Sequence, residues 1–220
     1  TGAIVVARKG ADGEFGRIQR ITGSYAGYGV VRDILAGNSV EAALYEALQR
    51  HTPEDLYDVT YHNGVFYAVG SESLLMTSTD GLSWTRRPLH VKHMILRAVR
   101  FAPDGVGMIG GEKGLLLVSA DGGQSWRSQT SPTERSIYSL RSSPAFPNGF
   151  LFAGAYGLWG FCQNADGKCY LRSRNADYHY RAIEFAKGIQ KPGYMQVVAV
   201  GHGSRIDKID DAPNAGTEVT

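Results

Sequence analysis

A short stretch that ends in tryptophan occurs twice in this chain and limits what the chain can fold into. Residues 78–84 read STDGLSW and residues 119–126 read SADGGQSW, so Trp84 and Trp126 lie 42 positions apart. A period of that length is typical of one supersecondary unit in a repeat protein. The sequence therefore predicts a fold assembled from several similar units.

Further units can be aligned around these two stretches. The first strand of each unit carries an apolar anchor, and the anchors are spaced by 40, 41 and 43 positions: Val59, Val99, Leu140 and Ile183. A short apolar run follows each anchor and ends in glycine: Gly70, Gly110, Gly154 and Gly201. Three or four short strands per unit, separated by glycine, are the pattern of a β-propeller blade. We predict an all-β propeller, complete and small or partial, with about four such blades.

The aspartates of the two stretches have a structural explanation. An Asp at the head of a turn accepts hydrogen bonds from main-chain amides, and a Gly takes the positive φ that closes the hairpin. The Trp then packs against the sheet. We predict a structural role, rather than calcium binding or acid catalysis, for the defined positions of both stretches: Ser78, Asp80, Gly81, Trp84, Ser119, Asp121, Gly123 and Trp126.

These stretches carry a family resemblance. Residues 119–126 match every defined position of the Asp-box, or BNR repeat, written S-x-D-x-G-x-[ST]-W, and residues 78–84 are a shortened form. The chain resembles secreted bacterial propellers over about residues 56–209. Its repeat is similar to those of sialidases, xyloglucan-cleaving glycosidases, sortilin-type receptors and photosystem II assembly factors. Because these proteins differ in activity, the resemblance implies the fold and leaves the function open.

The sequence divides into four parts. We expect an N-terminal hairpin that could complete a blade (1–22), a helical insertion (23–55), the propeller repeats (56–209) and a loose polar tail (210–220). Ser39 is a good N-cap for a helix in the insertion. Four units are few for a propeller of this family. The ring could close on itself with help from the N-terminal strands, or take further blades from a longer chain or from another chain.

Composition narrows the class of partner. The 220 residues include 28 Gly, 10% aromatic and 20% charged residues, as expected for many short strands and tight turns. A net charge of +2 gives no electrostatic reason to expect a nucleic-acid partner. No apolar run is long enough to cross a bilayer as a helix. His90 and His93 have no accompanying carboxylate cluster, so we expect neither a metal nor a cofactor.

Two cysteines bear on the compartment. Cys162 and Cys169 flank a predicted hairpin turn, where facing residues come within disulfide range. A disulfide would indicate a secreted or periplasmic protein, whereas two unpaired thiols would suit a reducing compartment. We predict the disulfide and a secreted or periplasmic location. The start at Thr1 is consistent with a removed signal peptide or with a piece of a longer chain.

One face of the predicted propeller has the composition of a binding surface. The links between blades and the turns between second and third strands lie on this face. They supply basic and aromatic candidates: Arg86, Arg87, Tyr156, Tyr178 and His179. Two positions before the anchors, at the mouth of the central channel, stand alternating candidates: Tyr57, Arg97, Tyr138 and Arg181. These side chains either contact a ligand or only pack between blades with their polar tips in water.

The candidates favour binding over catalysis. A sialidase needs an Arg-Ile-Pro signature, which is absent, and a glycosidase needs paired carboxylates. Asp58 and Glu184 are the acidic residues expected near the channel, and neither has an obvious acidic partner. We therefore expect a non-catalytic extracellular propeller that binds a protein or glycan through its basic, aromatic face. The alternatives are a glycoside hydrolase of sialidase-like fold and an assembly-factor scaffold for a protein complex.

Overall fold

The computed structural model describes residues 5–6, 19–20, 54–144, 146–163, 167–172, 176–186 and 195–211. Strand β1 (Val5–Val6) pairs antiparallel with β2 (Gln19–Arg20), and the two form a sheet of their own. The rest of the predicted N-terminal hairpin and nearly all of the predicted helical insertion lie outside the described residues. Their roles remain predictions. None of the helices among the described residues is long and apolar enough to span a membrane.

The remaining strands form four antiparallel sheets, one for each sequence repeat. Blade I contains β3 (Leu56–His62), β4 (Val65–Gly70), β5 (Leu75–Ser78) and β6 (Thr85–Arg86). Blade II contains β7 (Leu96–Phe101), β8 (Gly107–Gly111), β9 (Leu116–Ser119) and β10 (Arg127–Ser128). Blade III contains β11 (Ile137–Ser143), β12 (Phe146–Gly154), β13 (Trp159–Gln163) and β14 (Cys169–Leu171). Blade IV contains β15 (Tyr180–Phe185), β16 (Met195–Gly201) and β17 (Ile206–Asp211).

The blades are arranged as in a propeller. Neighbouring strands of each blade follow one another in the chain. The first strands of successive blades pack together, β3 on β7, β7 on β11 and β11 on β15. The first strand is therefore the inner strand of each blade, and the last is the outermost. The predicted all-β propeller with about four blades is confirmed. Strand β17 reaches Asp211, so it includes the first two residues of the predicted tail.

The core lies between the blades, in three apolar layers. Because successive residues of a strand point to opposite faces, one strand serves two layers. In β12, Phe150 and Phe152 pack toward blade II, whereas Leu151 and Ala153 pack toward blade IV. The third layer, between blades I and II, contains Val69, Leu75, Leu96, Val99, Ile109 and Leu117. Each internal blade is thus buried on both faces.

A main-chain contact repeats in every blade where the second strand ends. A Cβ at the final glycine would lie closer than 3.0 Å to the carbonyl oxygen of the residue just before the inner strand, and the four glycines are Gly70, Gly111, Gly154 and Gly201. The next residue donates its N–H to that same carbonyl, at 2.9 to 3.1 Å. In blade II the sequence predicted the end of this run at Gly110, and the structure places it at Gly111. Gly110 instead faces blade III, with its Cβ position 2.7 Å from Cγ2 of Ile137.

The two cysteines lie opposite each other in blade III. Cys162 of β13 and Cys169 of β14 are register partners, and a disulfide joins them. The predicted disulfide is therefore present. It closes the outer hairpin of the blade.

Candidate functional site

Four side chains at one end of the inner strands form a continuous series, which we call the Tyr–Arg series: Tyr57, Arg97, Tyr138 and Arg181. The Cζ atom of Arg97 lies 4.3 Å from the ring centroid of Tyr57 and 5.8 Å from that of Tyr138. The Cζ atom of Arg181 lies 4.9 Å from the ring centroid of Tyr138. All three distances fall within the range of cation–π contacts. Each residue comes from a different blade, so the predicted alternation is a physical chain of contacts.

A β-bulge at the start of each inner strand determines the direction of these side chains. Near the start of the inner strand, its pairing with the second strand skips one residue in every blade, as in a β-bulge, and the skipped residues are Tyr57, Arg97, Tyr138 and Arg181. A bulge leaves its extra residue outside the ladder and redirects the side chain. This explains why Arg97 is partly exposed although Val99, two positions on, is buried.

The two arginines have different surroundings. Arg97 forms a salt bridge with Glu112, with Nη2 and Oε1 2.8 Å apart. Arg181 is exposed, and its Nη2 lies 3.2 Å from Nε2 of His202, which accepts a hydrogen bond when that nitrogen carries no proton. Its positive charge is therefore less compensated by close carboxylates than that of Arg97. Arg181 is the stronger candidate for gripping an anionic group.

An aromatic cluster continues the series on blades III and IV. The ring of His179 lies 4.9 Å from Tyr156, 5.2 Å from His202 and 6.3 Å from Tyr138, each in an edge-on arrangement. The main-chain N–H of Tyr156 donates to Nδ1 of His179 at 3.1 Å. The Tyr156 side chain is 56% exposed. The predicted contacts Tyr156 and His179 therefore join Tyr138 and Arg181 on one surface.

Arg86 and Arg87 belong to a separate cavity. It has a volume of about 370 Å³, and its charged lining residues are Glu54, Glu72, Arg86, Arg87, Lys92 and His93. Arg86 is paired with Glu54 at 2.7 Å, and His93 with Glu72 at 2.7 Å. Nε2 of His90 lies 2.7 Å from Oγ of Ser128. The two histidines of the H-x-x-H pattern therefore have different partners.

Tyr178 belongs to a polar cluster within blade IV. The Cζ atom of Arg205 lies 3.8 Å from its ring centroid, and Arg205 also pairs with Asp207 at 2.6 Å. Tyr180 donates a hydrogen bond to Asp207. Burial, followed by the Asp207 hydrogen bond, raises the pKa of Tyr180, while the hydrogen bond from Tyr180 and then Arg205 lower the pKa of Asp207. The Tyr178 ring therefore packs against residues of its own blade, and we do not include it in the candidate surface.

The two carboxylates expected near the channel connect neighbouring blades. Oδ2 of Asp58 accepts from the main-chain N–H of Val99 at 2.9 Å and from Arg100 at 2.6 Å. Glu184 pairs with Arg141 at 3.0 Å. The sequence missed these partners, because each pair joins residues more than 40 positions apart. Both carboxylates are engaged with arginines from another blade.

The Asp-boxes occupy the turns between third and fourth strands, at the opposite end of the blades from the Tyr–Arg series. Asp80 accepts from the main-chain N–H groups of Leu82 at 2.7 Å and Ser83 at 2.8 Å, and Trp84 donates to the carbonyl of Gly81 at 3.0 Å. In the second box, Asp121 accepts from Ser125 and Ser119 accepts from the N–H of Gly123. Trp126 packs edge-on against Phe101, and its Nε1–H has no hydrogen-bond partner among the described residues. The Ser and Asp side chains of both boxes are thus engaged in holding the turns.

These turns predict an acid-sensitive contribution to stability. The hydrogen bonds from Ser83 and Leu82 lower the pKa of Asp80 from 3.8 to about 2, and those from Ser125 lower the pKa of Asp121 further. A depressed pKa gives stability that is complete above the unfolded-state value and is lost as the pH falls through the folded value. We expect the melting temperature to fall between about pH 4 and pH 2. The variant with Asp80→Asn and Asp121→Asn should show a smaller fall.

Thermal unfolding followed by circular dichroism at several pH values measures this difference. The control is Glu134→Gln, which removes an exposed carboxylate outside both boxes. An equal fall in the double variant and the wild type would contradict a role of the two aspartates in the acid response.

Comparison with known proteins finds one matching family model and several solved structures of similar fold. The family model of the photosystem II assembly factor YCF48 matches residues 38–133. No curated protein is detectably similar in sequence. Among solved structures, YCF48 bound to D1 peptide is similar with 16% identity and a TM-score of 0.53, over 72% of this chain and 50% of that one. The chain thus spans about half the length of that YCF48 structure.

Two other solved structures are similar in fold, at lower sequence identity. The computationally designed Ika4 protein is 13% identical, with a TM-score of 0.53 over 72% of this chain and 92% of its own. Virginiamycin B lyase from Staphylococcus aureus is 12% identical, with a TM-score of 0.54 over 73% of this chain and 56% of its own. At these identities the shared property is the fold. The chain has a BNR-type propeller fold similar to that of the YCF48-like assembly factors.

Proposed function

We propose that this BNR-type β-propeller is a non-catalytic scaffold that binds a peptide segment of a partner protein in the assembly of a complex. The observation that carries the proposal is the Tyr–Arg series, whose four bulged residues form one surface across four blades. Asp58 and Glu184 are engaged with arginines, which supports binding rather than acid–base catalysis. The likeness to YCF48, solved with a D1 peptide, supports a protein as the ligand.

The side chains of the surface indicate what kind of peptide fits. Tyrosine faces pack against apolar or planar groups, and an arginine fork holds a carboxylate with two parallel hydrogen bonds. Arg181 is exposed, and its guanidinium lies between the ring of Tyr138 and His202, where a carboxylate can reach it from solvent. Tyr138 lies beside this guanidinium, and Tyr156 is connected to Tyr138 through the ring of His179. The surface suits an extended acidic segment or a chain terminus that places a carboxylate on Arg181.

Arg181→Ala tests this function. We expect it to weaken binding of an acidic peptide by about tenfold or more, since a hydrogen bond to a charged group contributes about 1.5 to 3 kcal/mol. The probe is a fluorescently labelled acidic peptide library with free C-terminal carboxylates, measured by anisotropy. An amidated library shows whether the terminus or a side chain is held. The matched control is Arg127→Ala, which removes an exposed arginine from the outermost strand of blade II.

Three outcomes separate the possibilities. Loss of peptide binding in the Arg181 variant alone supports the proposal. Equal binding by both variants and the wild type contradicts the assigned surface. Glycan binding depends on the same aromatic and basic side chains, so a glycan array is run in parallel. If the protein bound glycans on the array and no peptide, the ligand would be a glycan and the peptide proposal would be wrong.

We further propose that the protein works in an oxidising compartment, secreted or periplasmic. The support is the Cys162–Cys169 disulfide, because such bonds persist mainly outside the reducing cytosol. Mass spectrometry of protein isolated from its source cells without reductant measures the state of the two cysteines. We expect a linked peptide containing both residues. A free thiol at both positions would contradict this location.

A further inference from the structure

The first blade exposes a face that the other blades bury. We call the side of a blade that is turned to the preceding blade its leading face. The inner-strand anchors lie on this face, and Val99, Leu140 and Ile183 are at most 1% exposed. Val59, the equivalent residue of blade I, is 53% exposed, and Tyr61 beside it is 60% exposed. Blade I therefore presents an apolar leading face built for a neighbour.

The fourth blade exposes the complementary face. We call the side of a blade turned to the next blade its trailing face. In blades I to III the first residue on the trailing side of the third strand is at most 8% exposed: Leu75, Leu116 and Trp159. Ile206, the equivalent residue of blade IV, is 71% exposed, and Val200 is also exposed. The strand register places the exposed Lys208 on the same face, opposite Val198. Blade IV thus ends in a trailing face that is apolar at Ile206 and Val200, carries Lys208 farther along the strand and has no described neighbour.

The Tyr–Arg series has the same two open ends. It begins with the exposed ring of Tyr57 and ends with Arg181. Within the series, Arg97 lies between two tyrosines, at 4.3 Å from the ring of Tyr57 and 5.8 Å from that of Tyr138. Among the described residues, Arg181 has a tyrosine on its preceding side only, at 4.9 Å. A tyrosine that followed Arg181 would continue the pattern, and Tyr57 is the residue that occupies this position in the repeat.

We propose that a second copy of this chain covers both faces. The trailing face of each copy packs on the leading face of the other, and two such contacts close an eight-bladed ring. The new contact is a continuation of an interface that the chain already makes three times between its own blades. Eight blades lie within the range of known propellers, and a head-to-tail contact that closes by rotation gives a finite assembly.

The N-terminal part of the chain is the other candidate for covering these faces. Residues 1–53 would have to fill the space between blades IV and I to cover both, and the first of the contrary outcomes below corresponds to that arrangement. A second copy buries Val59 and Ile206 together. It also places Tyr57 of one copy beside Arg181 of the other, so the Tyr–Arg alternation continues around all eight blades.

The oligomeric state of paired variants tests the proposal. Multi-angle light scattering of the wild type should give twice the chain mass of 23.9 kDa. Val59→Asp and Ile206→Asp should each give monomers, because an unpaired charge would be buried in both contacts of the ring. An equimolar mixture of the two variants should recover dimers. In the mixed pair one contact joins an unaltered leading face to an unaltered trailing face.

Folding is controlled separately. Val59 and Ile206 are exposed within the chain, so both aspartate variants should keep the wild-type circular dichroism spectrum. Tyr61→Asp is a second leading-face variant and should also give a monomer. Tyr156→Asp alters an exposed aromatic residue outside both faces, and this variant should stay dimeric.

Other results would overturn the proposal in distinguishable ways. A monomeric wild type whose melting temperature falls on Val59→Asp would mean that the chain's own N-terminal residues cover the leading face. A dimer broken by Val59→Asp but unaffected by Ile206→Asp would mean that two leading faces meet. A monomer unaffected by either variant would assign both faces to a different protein or to further blades of a longer chain. The test does not depend on the peptide ligand.

Discussion

Gly154→Ala is expected to prevent stable folding, with a loss of about 4 kcal/mol or more in the free energy of unfolding. The new Cβ would lie closer than 3.0 Å to the main-chain carbonyl oxygen of Ser136. That carbonyl is fixed by the N–H of Ala155, at 2.9 Å, so neither side can retreat without losing the hydrogen bond. Urea denaturation followed by tryptophan fluorescence measures the loss.

Gly105→Ala is the matched control for this substitution. Gly105 has a φ of +87° and open space around its Cβ position, so the substitution adds backbone strain without a collision. We expect a cost of about 1 to 3 kcal/mol. If Gly154→Ala and Gly105→Ala were equally stable, the close approach of the Ser136 carbonyl would not be what requires glycine.

Phe152→Ala should cost about 3 to 5 kcal/mol in the free energy of unfolding. Its ring is fully buried between blades II and III, where it shares an apolar layer with Met108, Leu116 and Leu140. Truncation removes the transfer energy of the ring and leaves a cavity that two rigid sheets cannot fill. Urea denaturation at constant pH, compared through the midpoint and the slope, measures the change.

Tyr156→Ala provides the comparison for a large aromatic residue of the same blade. Its side chain is more than half exposed, so we expect a change within about 0.5 kcal/mol. A Phe152→Ala variant as stable as Tyr156→Ala would show that the layer between blades II and III contributes little to folding.

The repeat itself could be predicted from the sequence, because the two Trp-terminated stretches and the spacing of the anchors are local, periodic signals. The glycines that end the second strands could also be predicted, except in blade II. At positions 110 and 111 two glycines stand together, and apolar periodicity cannot say which one meets the carbonyl before the inner strand. The disulfide was predictable because its cysteines flank a short turn.

The candidate surface was predicted only in part. The alternation of Tyr57, Arg97, Tyr138 and Arg181 can be read from the repeat. The bulge that directs these residues cannot, since it depends on the pairing of whole strands. Tyr178 is a candidate by residue type alone, and its ring packs under Arg205, which lies 27 residues later in the chain just before β17.

Contacts between residues far apart in the sequence explain the remaining differences. Glu112, which forms a salt bridge with Arg97, comes 15 residues later in the chain and is brought back by a turn. Asp58 and Arg100 are 42 residues apart and meet across a blade boundary. One repeated pattern in the sequence would have located the turns after the second strands. Each turn after the second strand contains consecutive left-handed residues, and its four copies follow the pattern G-x-x-[GS], at residues 70–73, 111–114, 154–157 and 201–204.

Because the skipped residue of each inner strand lies outside the strand pairing, it can be substituted without disturbing the sheets. Side chains at these positions project from outside the hydrogen-bonded ladder, so their identity is decoupled from strand pairing. Under the proposed function, substitutions at these four positions would change the ligand that the surface binds while the strand pairing stays the same, although neighbouring members contact each other and are best changed in pairs. Such a propeller could serve as a constant framework for engineering new binding specificities, provided that the glycines at the ends of the second strands are kept.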